Sequence, residues 1–264
     1  MGRASYSKVD TWNSCPYKYK LRYVDKLETI PDQRPDNALY MGTAIHEGIE
    51  SGSIEKAIES YNSNYKELTS ANELELFKIK SILPKAIEQL PRGEVYEYKL
   101  LNEEFIGYID CLVKISEGIY DLIDFKYSQN ITGYKSSGQI HIYKYYYERL
   151  TGNTIRNLYY AFIPKYCEKL DESFSEDDIK QRIIDWSNKH DIVLEKVDYD
   201  PVQVRYFFAR KTLMEKDQEF KKRKSFRCNW CEFNKFCTSN GTDRSELVEN
   251  NKPEEIIVSE VSLF

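Results

Sequence analysis

No stretch of this chain is apolar for long enough to cross a bilayer, and no charged-then-apolar leader opens it. A membrane protein or an exported one is therefore not expected, and the chain is placed in the cytoplasm. There thiols stay reduced, so its six cysteines read as metal ligands or core residues rather than disulfides. Internal repeats and low-complexity tracts are absent too. An excess of positive charge is also missing: the net charge is -5, which argues against a generic nucleic-acid coat while leaving local basic patches open. Histidine is scarce, with three in the whole chain.

What is present is a 264-residue chain, 41% hydrophobic and 31% charged, long enough for one large domain or a core with appendages. Its charge is segregated. The run "ARKTLMEKDQEFKKRKSFR" is basic, whereas "DRSELVENNKPEEIIVSE" after it is acidic. An opening helix is expected, with Ser7 and Asp10 spaced as a capping box before Trp12. Helical periodicity covers about 44–90, with Gly52 and Pro84 as interruptions. Three short, aromatic and β-branched segments follow, "EVYEYKLL", "EFIGYIDCLVKI" and "IYDLIDFKY", and read as consecutive strands. A helix ending at Gly152 comes next, then a strand stopped by Pro164. A helix over 176–189, a strand in "DIVLEKVDY" and a helix after Pro201 complete an α/β core with a helical layer in front.

Two patterns carry chemistry. The first is four cysteines: Cys15 near the start, and Cys228, Cys231 and Cys237 as C-x2-C-x5-C near the end. Four thiolates suit a tetrahedral zinc or an iron–sulfur cubane, and spacing alone favours zinc. The other two, Cys111 and Cys167, read as small core residues. The second pattern is acidic. Asp124 and Lys126 share one face of a strand, and a hairpin brings Asp110 alongside Asp124. Both aspartates sit in apolar sequence, where a charge needs a purpose. Facing carboxylates favour a hard cation between them, Mg²⁺ or Mn²⁺, and a neighbouring ammonium can orient or deprotonate an attacking water. Gln139 and Tyr143 lie one helical turn apart just downstream, and His46 stands in "MGTAIHEGIE". Glu97 is acidic as well, but no motif position secures it and it is not counted in the site.

In this order, cysteine, G-x3-H (Gly42 to His46), G-x-x-D (Gly107 to Asp110), D-x-K, Q-x3-Y and three cysteines, the elements resemble the PD-(D/E)xK nuclease superfamily. More narrowly they resemble its RecB/AddB-type branch with an iron–sulfur cluster, which includes the CRISPR adaptation nucleases. The resemblance implies a restriction-endonuclease-like core, a mixed central sheet flanked by helices, with an N-terminal helical region and a C-terminal iron–sulfur segment. It implies that His46, Asp110, Asp124 and the Phe125 carbonyl hold Mg²⁺ or Mn²⁺, that Lys126 positions or activates water, and that Gln139 and Tyr143 position DNA or the lysine. It also assigns Cys15, Cys228, Cys231 and Cys237 to a 4Fe-4S cluster rather than structural Zn²⁺. Position 124 carries Asp where many members have Glu, so its carboxylate reaches one methylene less far.

The expected organisation is one nuclease domain over 1–240, with its core at about 94–200, and an acidic flexible tail over 241–264. The tail ends in Glu260-Val261-Ser262-Leu263-Phe264, which resembles the bacterial sliding-clamp pentapeptide, with Val261, Leu263 and Phe264 as the clamp-binding side chains. The leading functional expectation is a metal-dependent DNA exonuclease acting on single strands or exposed ends in replication, recombination or repair. The alternatives are a CRISPR-type nuclease trimming spacer precursors and a non-catalytic iron–sulfur DNA-binding module.

Overall fold

The computed structural model describes residues 2–171 and 173–248, and these fall into two compact units. The first comprises Met1–Asn13 and Asp32–Gln218; the second comprises Ser14–Pro31 and Glu219–Phe264. The segments that carry the four cysteines, one near each end of the chain, fall in the second unit. The terminal peptide with Val261, Leu263 and Phe264 lies outside the described residues. Among those described, no helix is long and apolar enough to cross a membrane.

The first unit opens with α1 (Tyr6–Ser14). Its cap is Ser5 rather than Ser7: the Lys8 N–H donates to Ser5 Oγ (3.2 Å), because Ser7 already lies inside the first turn. Trp12 Nε1–H donates to Asp217 (2.7 Å) and ties α1 to the end of the unit. After α2 (Pro16–Tyr19), which belongs to the second unit, come α3 (Ala38–Ser51), α4 (Ile54–Asn62) and α5 (Ser70–Gln89). Gly52 ends α3 as expected, but Pro84 does not interrupt α5. The buried stripe Leu76, Ile79, Ile82, Leu83 and Ala86 continues past it, so tertiary packing outweighs the proline penalty.

The sheet consists of β1 (Val95–Leu101), β2 (Ile106–Ser116), β3 (Ile119–Tyr127), β4 (Thr154–Ile163) and β5 (Val193–Val197), in that spatial order. Hairpin neighbours β1–β2 and β2–β3 are antiparallel, as is β4–β5. β3 and β4 are parallel, because the chain crosses over through α6 (Ile131–Lys135) and α7 (Gln139–Thr151) before returning. α8 (Glu176–Lys189) and α9 (Pro201–Lys216) complete the unit.

Strand alternation sorts the side chains. Cys111, Ile123, Phe125, Ala161 and Ile163 share one core with α3, α4 and α5. On α7, Tyr146 stacks on Phe105 with centroids 4.0 Å apart, and Phe207 of α9 meets Phe105 edge-on. β3 is thus covered on both faces and is buried from Asp121 through Phe125.

The second unit is small. Beyond α2 and a π-helical turn over Lys20–Val24, it contains a 3₁₀ turn over Phe226–Trp230 and α10 (Asn234–Thr238). Thr29 bridges Leu247, and the buried core is Leu21, Phe233 and Leu247. All four motif cysteines lie here. Cys111 is buried in the first unit, as read from the sequence, and burial pushes its thiol up to about 12. Cys167 is a correction: it is exposed, because the chain after Pro164 runs as an irregular surface segment.

Candidate metal centre

β3 carries two buried aspartates, and their surroundings separate structure from function. Asp121 is 6% exposed and fully satisfied. Arg156 grips it through Nε (3.0 Å) and Nη2 (2.7 Å), and Asn157 adds its backbone N–H and Nδ2, both at 3.1 Å. Asp124 is 1% exposed. Neither of its oxygens meets a donor in hydrogen-bonding geometry, although the Lys126 ammonium is its ion-pair partner. A buried carboxylate so poorly satisfied costs stability unless a cation completes its surroundings.

The sheet register lines up three carboxylates. The last paired position of β2–β3 is Cys111↔Ile123, so Asp110 stands one step further, across from Asp124. In β1–β2, Tyr96↔Cys111 and Tyr98↔Ile109 flank the same level, which sets Glu97 opposite Asp110. Where backbone pairing of β2 and β3 ends, the Phe125 N–H donates to Asp110 Oδ2 (2.7 Å). His46 reaches in from α3 at this opening. Its Nε2 lies 3.1 Å from the Phe125 carbonyl, and its Nδ1 lies 3.8 Å from Asp110 Oδ2. The tautomer that donates from Nε2 leaves the Nδ1 lone pair on the carboxylate side.

Ligand atoms of His46, Glu97 and Asp110 all fall within 4.8 Å of one another, a cage that can hold a metal ion. Glu97, left out of the sequence reading, is thus a candidate ligand, and the solvent-exposed one of the three. It adopts φ +48 inside a strand, a left-handed conformation that costs about 1–3 kcal/mol for a non-glycine residue. Such strain survives where the surroundings over-determine it, and here it bends the carboxylate-bearing residue out of regular strand geometry.

Electrostatics agree with a site short of positive charge. Burial, then the charge of Asp124, holds the Asp110 carboxyl well above the usual range. Burial, then Glu50 and Asp124, raises Glu97. Burial lowers His46, which favours the neutral imidazole that ligates metals. Burial opposes the Lys126 ammonium, but Asp124 and then Asp110 outweigh it and keep the group above the ordinary lysine value. Lys126 thus stands as a charged donor, 5.3 Å from the centre of the Tyr134 ring. In this state it can orient a water or bind a phosphoryl oxygen.

The residues fit a divalent cation through hard oxygens and one imidazole. When bound, such an ion polarises a phosphoryl oxygen and acidifies water. The strand register holds the carboxylates in line, with the Lys126 ammonium beside Asp124.

The Q-x3-Y pair adjoins this centre. Gln139 Nε2–H donates to Tyr143 Oη (2.9 Å), and burial pushes the Tyr143 hydroxyl up to about 12. The glycine of G-x-x-D has a spatial reason: a Cβ on Gly107 would lie 2.9 Å from both the Phe105 and Tyr143 rings. Gly107→Ala should therefore displace Tyr143. We expect a folded protein, destabilised by about 1–3 kcal/mol, whose turnover falls on the order of 10–100-fold. Steady-state kinetics beside a thermal melt checks this. At Gly42, by contrast, a Cβ would meet nothing within 4 Å, so packing does not explain that glycine.

A mixed sheet flanked by helices, with facing carboxylates and a D-x-K strand, defines a metal-dependent phosphodiester hydrolase. Residues 3–238 match the model of the PD-(D/E)XK nuclease superfamily, and the chain belongs to that superfamily. It is a metal-dependent nuclease. Among solved structures it is similar to the "Putative exonuclease" of Eubacterium rectale, at 13% identity and a TM-score of 0.46, with 85% of this chain and 91% of that one covered. No curated protein matches the chain.

Proposed function

We propose that this nuclease is a Mg²⁺- or Mn²⁺-dependent DNA exonuclease that acts on single strands or exposed ends in replication, recombination or repair. The observation that carries the metal chemistry is the convergence of His46, Glu97, Asp110, Asp124 and Lys126 around a buried carboxylate that lacks hydrogen bonds. In this reading Asp124 and the Phe125 carbonyl complete the metal's surroundings beside His46 and Asp110. Gln139 and Tyr143 then position the DNA or the lysine.

The same reading gives Cys15, Cys228, Cys231 and Cys237 to a 4Fe-4S cluster. Two observations support it. All four fall in one compact unit, and the Cys231 and Cys237 thiols, raised chiefly by burial, also feel Cys15. The terminal side chains Val261, Leu263 and Phe264 are assigned to a sliding clamp.

End-labelled linear single strands and closed single-stranded circles, each with Mg²⁺ or Mn²⁺, test the reading. We expect the linear DNA to be degraded, the circle to survive and a chelator to stop the reaction. Circles cut as fast as linear strands would refute the exonuclease assignment, and inert linear DNA with both metals would refute the DNA substrate.

A further inference from the structure

The second unit displays an aromatic pair that nothing in the metal centre uses. Phe226 and Trp230 begin and end one 3₁₀ turn. Each is 72% exposed, while the other two tryptophans, Trp12 and Trp186, are buried. The two rings stand edge to face with centroids 6.2 Å apart. One exposed aromatic is ordinary; two large ones offered side by side on a single turn mark a binding surface. The turn is held from beneath. The Cys228 N–H donates to the Ser225 carbonyl (3.0 Å), and the Cys228 carbonyl accepts from the Cys231 N–H (3.2 Å) and Asn234 Nδ2 (2.5 Å).

The charge around the pair says what covers it. Lys221, Lys222, Arg223, Lys224 and Arg227 are all exposed, and no acidic residue occurs from 220 to 231. Lys221 pairs with Glu219. Lys222 donates to neutral oxygens, the Cys237 carbonyl (2.9 Å) and Asn240 Oδ1 (3.1 Å). Arg227 meets the neutral Ser14 hydroxyl (3.2 Å). Lys222, Lys224 and Arg227 thus place positive charge next to two accessible ring faces. Aromatic rings stack on bases whatever their sequence, and flanking cations take up the phosphates. A base-paired duplex hides its base faces, so the complementary ligand is an unpaired strand.

We infer that the Phe226–Trp230 turn is a stacking platform for the bases of single-stranded DNA, with Lys224 and Arg227 among its phosphate contacts. The choice of DNA rests on the function proposed above, but the platform is independent of the metal centre.

The test is anisotropy of a labelled oligothymidylate on the full chain without added divalent metal, so that binding is read without cleavage. Trp230→Ala and Phe226→Ala should each weaken binding about tenfold, and Trp230→Phe should retain most of the affinity. A blunt duplex of equal length should bind more weakly and respond little to Trp230→Ala. An oligonucleotide carrying 5-iodouracil, irradiated on the wild type, should cross-link within the 226–230 peptide. That result stands even if a variant fails to fold, which circular dichroism reports. Unchanged affinity in a folded Trp230→Ala protein, equal losses on single strand and duplex, or cross-links confined to other peptides would overturn the platform. Cleavage that survives Asp124→Asn would sink the catalytic reading instead, leaving the platform untouched.

Discussion

Asp124→Asn is expected to lower cleavage by about a thousand-fold while the protein stays folded. The change keeps the volume of the side chain and removes the charge that a metal and Lys126 both need. Lys126→Ala should cost on the order of 10²–10³-fold in turnover, the usual loss when a donor aimed at transition-state charge is removed. The informative control lies three residues away on the same strand. Asp121→Asn disturbs a carboxylate that accepts four hydrogen bonds, two of them from Arg156. It should destabilise the fold by about 2–3 kcal/mol, a modest figure because Arg156 is half exposed. Turnover of the fraction that remains folded should hardly change. Kinetics and chemical denaturation on both variants separate the roles; activity retained by Asp124→Asn would remove this aspartate from the mechanism.

The second large effect concerns the cysteine unit. Among the described residues, this unit buries Leu21, Phe233 and Leu247, with Tyr17, Leu27 and Phe236 packed against them; a core of that size orders two distant segments poorly unaided, and small units use a metal or disulfide staple. Binding free energy then becomes folding free energy, on the order of 10 kcal/mol for structural metal sites. Protein purified without air should therefore be brown and hold iron and acid-labile sulfide in equal amounts. Cys231→Ala should be colourless, and limited proteolysis should cut it within 14–31 and 219–248, segments that the wild type protects. The first unit, with its own sheet and core, should keep its melting transition. A colourless wild type containing zinc would replace the iron cluster, and equal protease resistance of both proteins would remove the staple.

How much of this could be read beforehand depends on how far each signal reaches along the chain. The three strands over 95–127 showed themselves because aromatic and β-branched residues sit between turn residues, a local pattern. Asp110 and Asp124 stood out because charge inside apolar strands is costly wherever the partner lies. Glu97 gave no such sign. In "EVYEYKLL" it reads as the solvent-facing member of an alternating strand, which it is; only the register with Asp110 brings its carboxylate close enough to Asp110 and His46 to count as a candidate ligand. Pro84 misled in the opposite way, since the packing of α5 holds a helix that local propensity would end. Cys167 looked like a core thiol because composition cannot report that its segment runs over the surface.

The chain's order of residues by itself determined the element types along the sheet, the superfamily, the D-x-K lysine and the four thiols, because each depends on neighbours within a few positions or on a motif repeated in order. Tertiary structure alone decided the parallel pairing of β3 with β4, the row from Glu97 through Asp110 to Asp124, and the gathering of Cys15 with cysteines more than two hundred positions away. Those are relations between strands or between chain ends. They arise from register and packing, which no local stretch of sequence contains.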